Sequence, residues 1–151
     1  MKVLVLYATK HGATAEIAEK IAKKMDGVAH NLANKNLPNL ADFEYVILGS
    51  SVYASTIRKE MKQFLAKMPQ IQPIAGIFLS SFEEKDDFFA KNFPPHVLAQ
   101  VKVKAFLGGI FDPTKVGGIE RAIIKAVMKQ TKYTSTITDE KITQFINSIT
   151  S

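Results

Sequence analysis

The feature that most constrains this chain is a repeated change of hydrophobic period. Short apolar runs alternate with segments whose apolar residues recur at helical spacing. Lys2–Tyr7 (KVLVLY) has no polar alternation, as in a strand buried on both faces. From Gly12 to Met25 the pattern turns helical, with Ile17, Ile21 and Met25 on one face, and Gly27 is expected to end the helix as a C-cap glycine. Val28–Leu32 reads as a weaker second strand, and the Asn- and Pro-bearing stretch after it as loop with a helical turn near Leu40–Phe43. Tyr45–Ser50 is the third strand, Ser51–Thr56 a loop, and Ile57, Met61, Phe64, Leu65 and Met68 a helix that Pro69 closes. Pro73–Ser80 reads as the fourth strand. Helical segments follow from Asp86 to Asn92 and from Pro95 to Gln100, then a fifth strand over Val101–Phe111. Ile119, Ile123, Ala126 and Val127 predict a helix to about Lys132, and Thr138 caps a last one with Asp139 and Glu140 in its first turn.

Strands that alternate with helices in this way build a parallel sheet covered on both faces. No linker or repeat divides the 151 residues, so a single domain over 1–151 is expected. Right-handed crossovers leave two leading strand orders, a half-Rossmann order and 2-1-3-4-5. In either, a ligand sits beyond the carboxyl ends of the strands. The absence of cysteine excludes disulfides, thiolate metal sites and cysteine nucleophiles. No apolar run approaches the roughly 18 residues of a membrane span, and the first run is too short for a signal peptide, so a cytoplasmic protein is expected. A formal net charge of +6 favours anionic partners, among them a membrane surface. The basic residues are lysines except Arg58 and Arg121, a poor set for reading nucleic acid.

The strand ends carry the candidate chemistry. The first leads through Thr9, Lys10, His11, Gly12, Ala13 and Thr14 into a helix, where N–H groups and two hydroxyls form an anion site. The third ends in Ser50, Ser51, Val52, Tyr53 and Ala54, small residues beside one aromatic face. The fourth ends in Ser80, Ser81 and Phe82, and Phe82 fits the core equally well. The chain lacks the GxGxxG dinucleotide fingerprint and the GxxxxGK[ST] phosphate loop. The first and third strands end without the carboxylates that a phospho-receiver or a metal site needs, so no metal is expected. His11 lies too near the expected phosphate to act as a base, His96 reads as a surface residue, and His30 is far from the switch point.

Together these three loops resemble the flavodoxin-type FMN-binding family. Thr9, Gly12 and Thr14 match its [ST]-x-x-G-x-T phosphate loop, while His11 stands where many members have threonine. The resemblance implies a three-layer doubly wound α/β fold, a five-stranded parallel sheet in the order 2-1-3-4-5, and FMN as cofactor. It implies that the phosphate lies on residues 9–14 and the flavin between the second and third loops, with Tyr53 and Phe82 on its two faces. Val3–Ala22, Gly49–Leu65, Ala105–Pro113 and the basic stretch Gly118–Lys129 are similar to a subfamily that includes a menaquinone-dependent protoporphyrinogen dehydrogenase. That likeness implies an oxidoreductase passing electrons through FMN to a quinone. Two differences bear on the substrate: Phe82–Phe93 is short and acidic, and Thr114–Gly118 lacks the subfamily's aromatic and arginine residues. The alternatives are an electron-transfer flavodoxin and a flavin-binding domain without activity of its own. The shuttles of the family are strongly acidic, and +6 is the opposite sign. The expected partner is a redox protein or an anionic small molecule, a membrane quinone among them. Lys115, Arg121, Lys125 and Lys129 are the expected anionic-partner face.

Overall fold

The computed structural model describes residues 2–68, 73–111 and 133–151. Its first strand, β1 (Val3–Ala8), is buried along its whole length, as its unbroken apolar run predicts. Helix α1 (Ala13–Lys24) follows, then β2 (Val28–Asn31), a 3₁₀ turn at Leu40–Asp42, and β3 (Tyr45–Tyr53). A two-residue strand β4 (Thr56–Ile57) precedes α2 (Lys59–Lys67). The chain continues through β5 (Gly76–Ser80), α3 (Asp87–Asn92), α4 (Pro95–Leu98) and β6 (Val103–Phe106). The short strands β7 (Ile110–Phe111) and β8 (Thr134–Ser135) pair antiparallel, and α5 (Asp139–Thr150) closes the chain.

The main sheet runs β2-β1-β3-β5-β6, all parallel, and β4 folds back on β3. This is the 2-1-3-4-5 order once the short β4 is set aside. Each face of the sheet carries its own core. Leu4, Leu6, Leu48, Ile77 and Leu79 pack on one side with Met61 and Phe64 of α2 and Phe88 and Phe89 of α3. Val3, Val5, Ile47 and Phe78 pack on the other with Ile17 and Ile21 of α1 and Phe145 of α5. The alternation along each strand divides the two sets. Among the described residues no helix is long and apolar enough to cross a membrane.

Four local outcomes differ from the sequence expectation, three of them for a definable reason. The left-handed residue ending α1 is Asp26 (φ 52°), not Gly27. Gly27 donates to the Ala22 carbonyl at 2.7 Å, and a β-carbon there would meet the Val3 carbonyl oxygen at 2.6 Å. Its missing side chain is thus required by the approach of β1. The expected loop at 51–56 is a β-hairpin, with Val52 opposite Ile57 and Tyr53 opposite Thr56. Its two turn residues, Ala54 (φ 52°) and Ser55 (φ 65°), are both left-handed, as a tight hairpin with the right twist requires, yet neither is glycine or asparagine. The fifth strand stops at Phe106 because Gly108 takes φ 98°, and Ile110–Phe111 pairs with β8 instead of extending the sheet. Finally, β5 begins at Gly76 instead of Pro73. The predicted helix over 119–132, the stop at Pro69 and the basic residues Lys115, Arg121, Lys125 and Lys129 lie outside the described residues.

The α5 cap forms as its sequence predicts, with the Lys141 N–H donating to Thr138 Oγ1 at 3.3 Å. At the other end of this helix, Lys102 Nζ donates to the Ile149 carbonyl at 3.1 Å. That bond ties the last turn to the segment entering β6, with a cation where the helix dipole favours one.

Gly49 lies opposite Phe78 in the β3–β5 pair, and a β-carbon on it would fall 2.0 Å from the Phe78 ring. Phe78 is held in turn by an edge contact with Phe145, ring centroids 6.0 Å apart. Gly49→Ala is therefore expected to destabilise the fold by about 1–3 kcal/mol through overpacking, read as a lower urea midpoint. Adding Phe78→Leu should recover part of that loss; an unchanged midpoint in Gly49→Ala would mean that the ring moves aside freely. At the hairpin the sign reverses. A left-handed non-glycine residue costs about 1–2 kcal/mol, against about 0.5–1 kcal/mol of extra chain entropy for glycine. Ser55→Gly should then raise stability by up to about 1 kcal/mol, seen as a higher melting temperature.

Candidate functional site

Three neighbouring parallel strands end at one level. Ala8 stands opposite Ser50, and Ser51 opposite Ser80, so the loops after β1, β3 and β5 leave the sheet side by side. The structure thus brings together the three loops that the sequence singles out.

The first loop is a tight bridge into α1. Its Gly12 has φ 98°, a left-handed backbone that glycine takes without steric cost. The Gly12 N–H donates to Thr9 Oγ1 at 3.0 Å, which closes the loop on itself. Thr9 accepts in that bond, so its own hydroxyl hydrogen remains to donate elsewhere. No side chain caps α1, and its first-turn N–H groups face the loop with the positive end of the helix dipole behind them. Thr14 is fully buried, and its Oγ1 has no hydrogen-bond partner. A buried hydroxyl left unsatisfied costs about 1–3 kcal/mol. A tetrahedral oxyanion over this turn would satisfy Thr14 and the open N–H groups together. Lys10 is exposed and His11 half-buried on the same turn.

The second loop is the strained hairpin. Alternation along β3 puts Ser50 on the α2 side of the sheet and Ser51 on the α1 side. Ser50 is buried and already engaged. It donates to the Ser51 carbonyl at 2.9 Å and accepts from the Arg58 N–H at 3.1 Å. Ser51 Oγ is buried with no hydrogen-bond partner, the second such hydroxyl at this edge. Val52 packs on the α2-side core. Tyr53 follows on the α1 side, half-buried, and Lys10 Nζ stands 3.8 Å from its ring centroid. That cation–π contact, worth about 0.5–1 kcal/mol at an exposed site, spans the first and second loops. Ala54 sits exposed at the turn.

The third loop is wound on itself. Ser80 is buried at the end of β5. The Ser81 N–H donates to the Gly108 carbonyl at 3.2 Å, Ser81 Oγ donates to the Glu83 carbonyl at 2.9 Å, and the Glu83 N–H donates back to Ser81 Oγ at 3.2 Å. The polar groups of Ser81 are thereby engaged within the protein. Phe82 is half-buried and belongs to neither core, so it does not tuck inward. Gly109 backs this loop; a β-carbon on it would come within 3.1 Å of the Ser81 carbonyl carbon. Its N–H donates to Thr136 Oγ1 at 2.9 Å, and its carbonyl accepts from the Thr136 N–H at 2.9 Å.

Tyr7, one residue before the end of β1, has its phenol pushed above the usual tyrosine range by burial, with Glu19 adding to the shift and a hydrogen bond from Asn31 opposing it. It stays neutral at physiological pH. Among the described residues no group of three or more His, Asp or Glu could hold a metal ion. His30 bonds the Asn34 carbonyl at 2.9 Å on the far edge of the sheet, and His96 is exposed.

Two residues near the site carry no signal in the sequence. Arg58 Nε is buried without a hydrogen-bond partner, 4.0 Å from the Glu60 carboxylate. Asn92, at the end of α3, bonds the hairpin across 35 and 37 residues of sequence. Only tertiary structure brings those groups together.

The model of the flavodoxin domain family matches residues 4–138. No curated protein matches the chain. Among solved structures, a flavoprotein in complex with FMN from Lactobacillus acidophilus NCFM aligns with a TM-score of 0.55 at 18% identity, over 70% of this chain and 92% of that one. A flavodoxin from Streptococcus pneumoniae TIGR4 aligns at 0.58 and 13% identity, over 99% and 98%. A flavo di-iron protein from Thermotoga maritima aligns at 0.56 and 14% identity, over 99% of this chain but 35% of its own. With the sheet order, the three co-terminal loops and the match over residues 4–138, the chain belongs to the flavodoxin domain family.

Proposed function

We propose that this chain binds FMN at the edge formed by β1, β3 and β5 and works as an FMN-dependent oxidoreductase on an anionic or quinone partner. The observation that carries the cofactor is the buried, unpartnered Thr14 Oγ1 at the uncapped start of α1. The phosphate of FMN supplies the acceptor oxygens that this turn lacks. The solved complex of a family neighbour with FMN supports the same ligand.

Each residue has a role in that scheme. Thr9 and Thr14 hydroxyls and the N–H groups at residues 13–15 hold the phosphate, and Ser51 Oγ faces the same side. Lys10 and His11 border the turn. Tyr53 and Phe82, both half-buried outside the cores, offer a surface on either side of a flat ring. With the Ser81 N–H held by Gly108, the Phe82 N–H is the donor left to the ring's polar edge. FMN, when bound, supplies the hydride and electron transfer; the protein supplies orientation and electrostatics. The finer reading is a protoporphyrinogen dehydrogenase-like activity with a quinone acceptor. It rests on the similar stretches at 3–22, 49–65 and 105–113 and on the net charge of +6, opposite in sign to the family's acidic shuttles.

The test is a fluorescence titration of the purified protein with FMN and with riboflavin. Tight FMN binding with much weaker riboflavin binding is expected. Thr14→Val should weaken FMN by about 1–3 kcal/mol, roughly 5–150-fold, and leave riboflavin unchanged. Identical FMN curves for the variant would remove Thr14 from the phosphate site. Tyr53→Ala should weaken FMN and riboflavin by the same factor, since it touches only the ring. Anaerobic assays with protoporphyrinogen and a menaquinone analogue then address the substrate. Turnover with neither, but reduction by a flavodoxin reductase, would make the protein an electron carrier.

A further inference from the structure

The hairpin that carries Tyr53 is strained and lies near a sheet end where few backbone partners remain. Its two turn residues are both left-handed without being glycine. The side chain of Asn92 bonds its backbone. Asn92 Nδ2 donates to the Ser55 carbonyl at 3.0 Å, and Asn92 Oδ1 accepts from the Ile57 N–H at 3.2 Å. The same Nδ2 donates to the Phe88 carbonyl at 2.7 Å. Two carbonyls demand a donor and one N–H demands an acceptor, so only one orientation of the amide satisfies all three. No other residue type of this size offers both.

Asn92 ends α3, and α3 begins just after the third loop. The Phe88 N–H donates to the Lys85 carbonyl at 3.0 Å, and Ser81 closes on Glu83 immediately upstream. Phe88 and Phe89 anchor the helix in the core, with edge contacts to Phe106 at 6.2 and 5.1 Å. Thus α3 is a strut with the third loop at one end and the second at the other.

We propose that Asn92 is a positioning residue for the flavin ring. By locking the strained hairpin to α3, it fixes the width and angle of the slot between the second and third loops. This rests on the FMN reading above. Asn92 touches the hairpin backbone, not the phosphate turn, so its effect falls on the ring alone.

The experiment compares the wild type with Asn92→Ala, Asn92→Asp, Ser55→Gly and the double variant Asn92→Ala/Ser55→Gly. Three readouts are taken: affinity for riboflavin and FMN, thermal protection by inorganic phosphate, and hydrogen exchange of the Val52–Ile57 amides. Asn92→Ala should weaken riboflavin and FMN alike, about 10-fold for the lost bonds, speed exchange at Ile57, and leave phosphate protection unchanged. Asn92→Asp should be no better, because its carboxylate faces two carbonyls. Ser55→Gly relaxes the turn, so the double variant should regain most of the ring affinity; because Ser55→Gly also stabilises the fold, the unchanged phosphate protection of Asn92→Ala is what separates positioning from a general loss of stability. Equal ring affinity in wild type and Asn92→Ala overturns the positioning role and leaves FMN binding intact. Loss of phosphate protection together with ring binding reduces Asn92 to a structural residue. A wild type that binds neither flavin overturns both proposals.

Discussion

Parallel pairing of β3 with β1 on one side and β5 on the other sets everything built at the edge of this molecule. The pairs Ala8–Ser50 and Ser51–Ser80 make three chains leave the sheet at one level. That registry depends on interior packing far from the loops. Gly49 clears the space that the Phe78 ring fills, and Phe145 of α5 holds the ring from the other side. A one-residue slip would turn every core side chain to the wrong face. It would also move Ser51 off the α1 side. The site therefore draws its order from the core.

The edge carries local costs that the core can sustain. Thr14 Oγ1 and Ser51 Oγ are buried without partners, α1 starts without a cap, and the hairpin turns through two left-handed non-glycine residues. Each costs on the order of 1–3 kcal/mol. The two unpartnered hydroxyls and the left-handed pair lie where β1 and β3 end, while Asp26 is left-handed at the far end of α1 and α2 and α3 also start without a side-chain cap. The α5 terminus, by contrast, is capped by Thr138 and bonded at its far end by Lys102. Two buried, unpartnered hydroxyls beside an uncapped helix start are the feature on which the FMN proposal rests. On that proposal the FMN phosphate would supply the missing acceptors.

Much of this was legible in the sequence because periodicity and turn chemistry are local. The unbroken run in β1, the helical face of Ile17 and Ile21, and the Thr138 cap each follow from residues within a few positions of one another. Thr9, Gly12 and Thr14 could be found for the same reason. What escaped was non-local. Gly27 reads as a helix stop, but the approach of β1 decides why it is glycine. The 51–56 segment lacks the Asn-Gly signal of a tight hairpin, because Asn92 stabilises from outside what the turn residues do not favour themselves. The end of β6 is set by Gly108 packing against Thr136, far along the sequence.

Charge at the site is more structured than the net value of +6. Lys10, His11 and Arg58 stand at the first and second loops. Glu83, Glu84, Asp86 and Asp87 follow the third. Part of that acidity is neutralised in place, Glu83 by Lys85 at 2.9 Å and Asp87 by Lys91 at 3.2 Å. These are exposed pairs, each worth little to stability. What they do is lower the negative potential on that flank. Basic residues thus gather at the first two loops and acidic ones after the third. Such a gradient orients an encounter as well as attracting it. A uniformly acidic rim would do the reverse, so the distribution of charge bears on an encounter as well as its sum does.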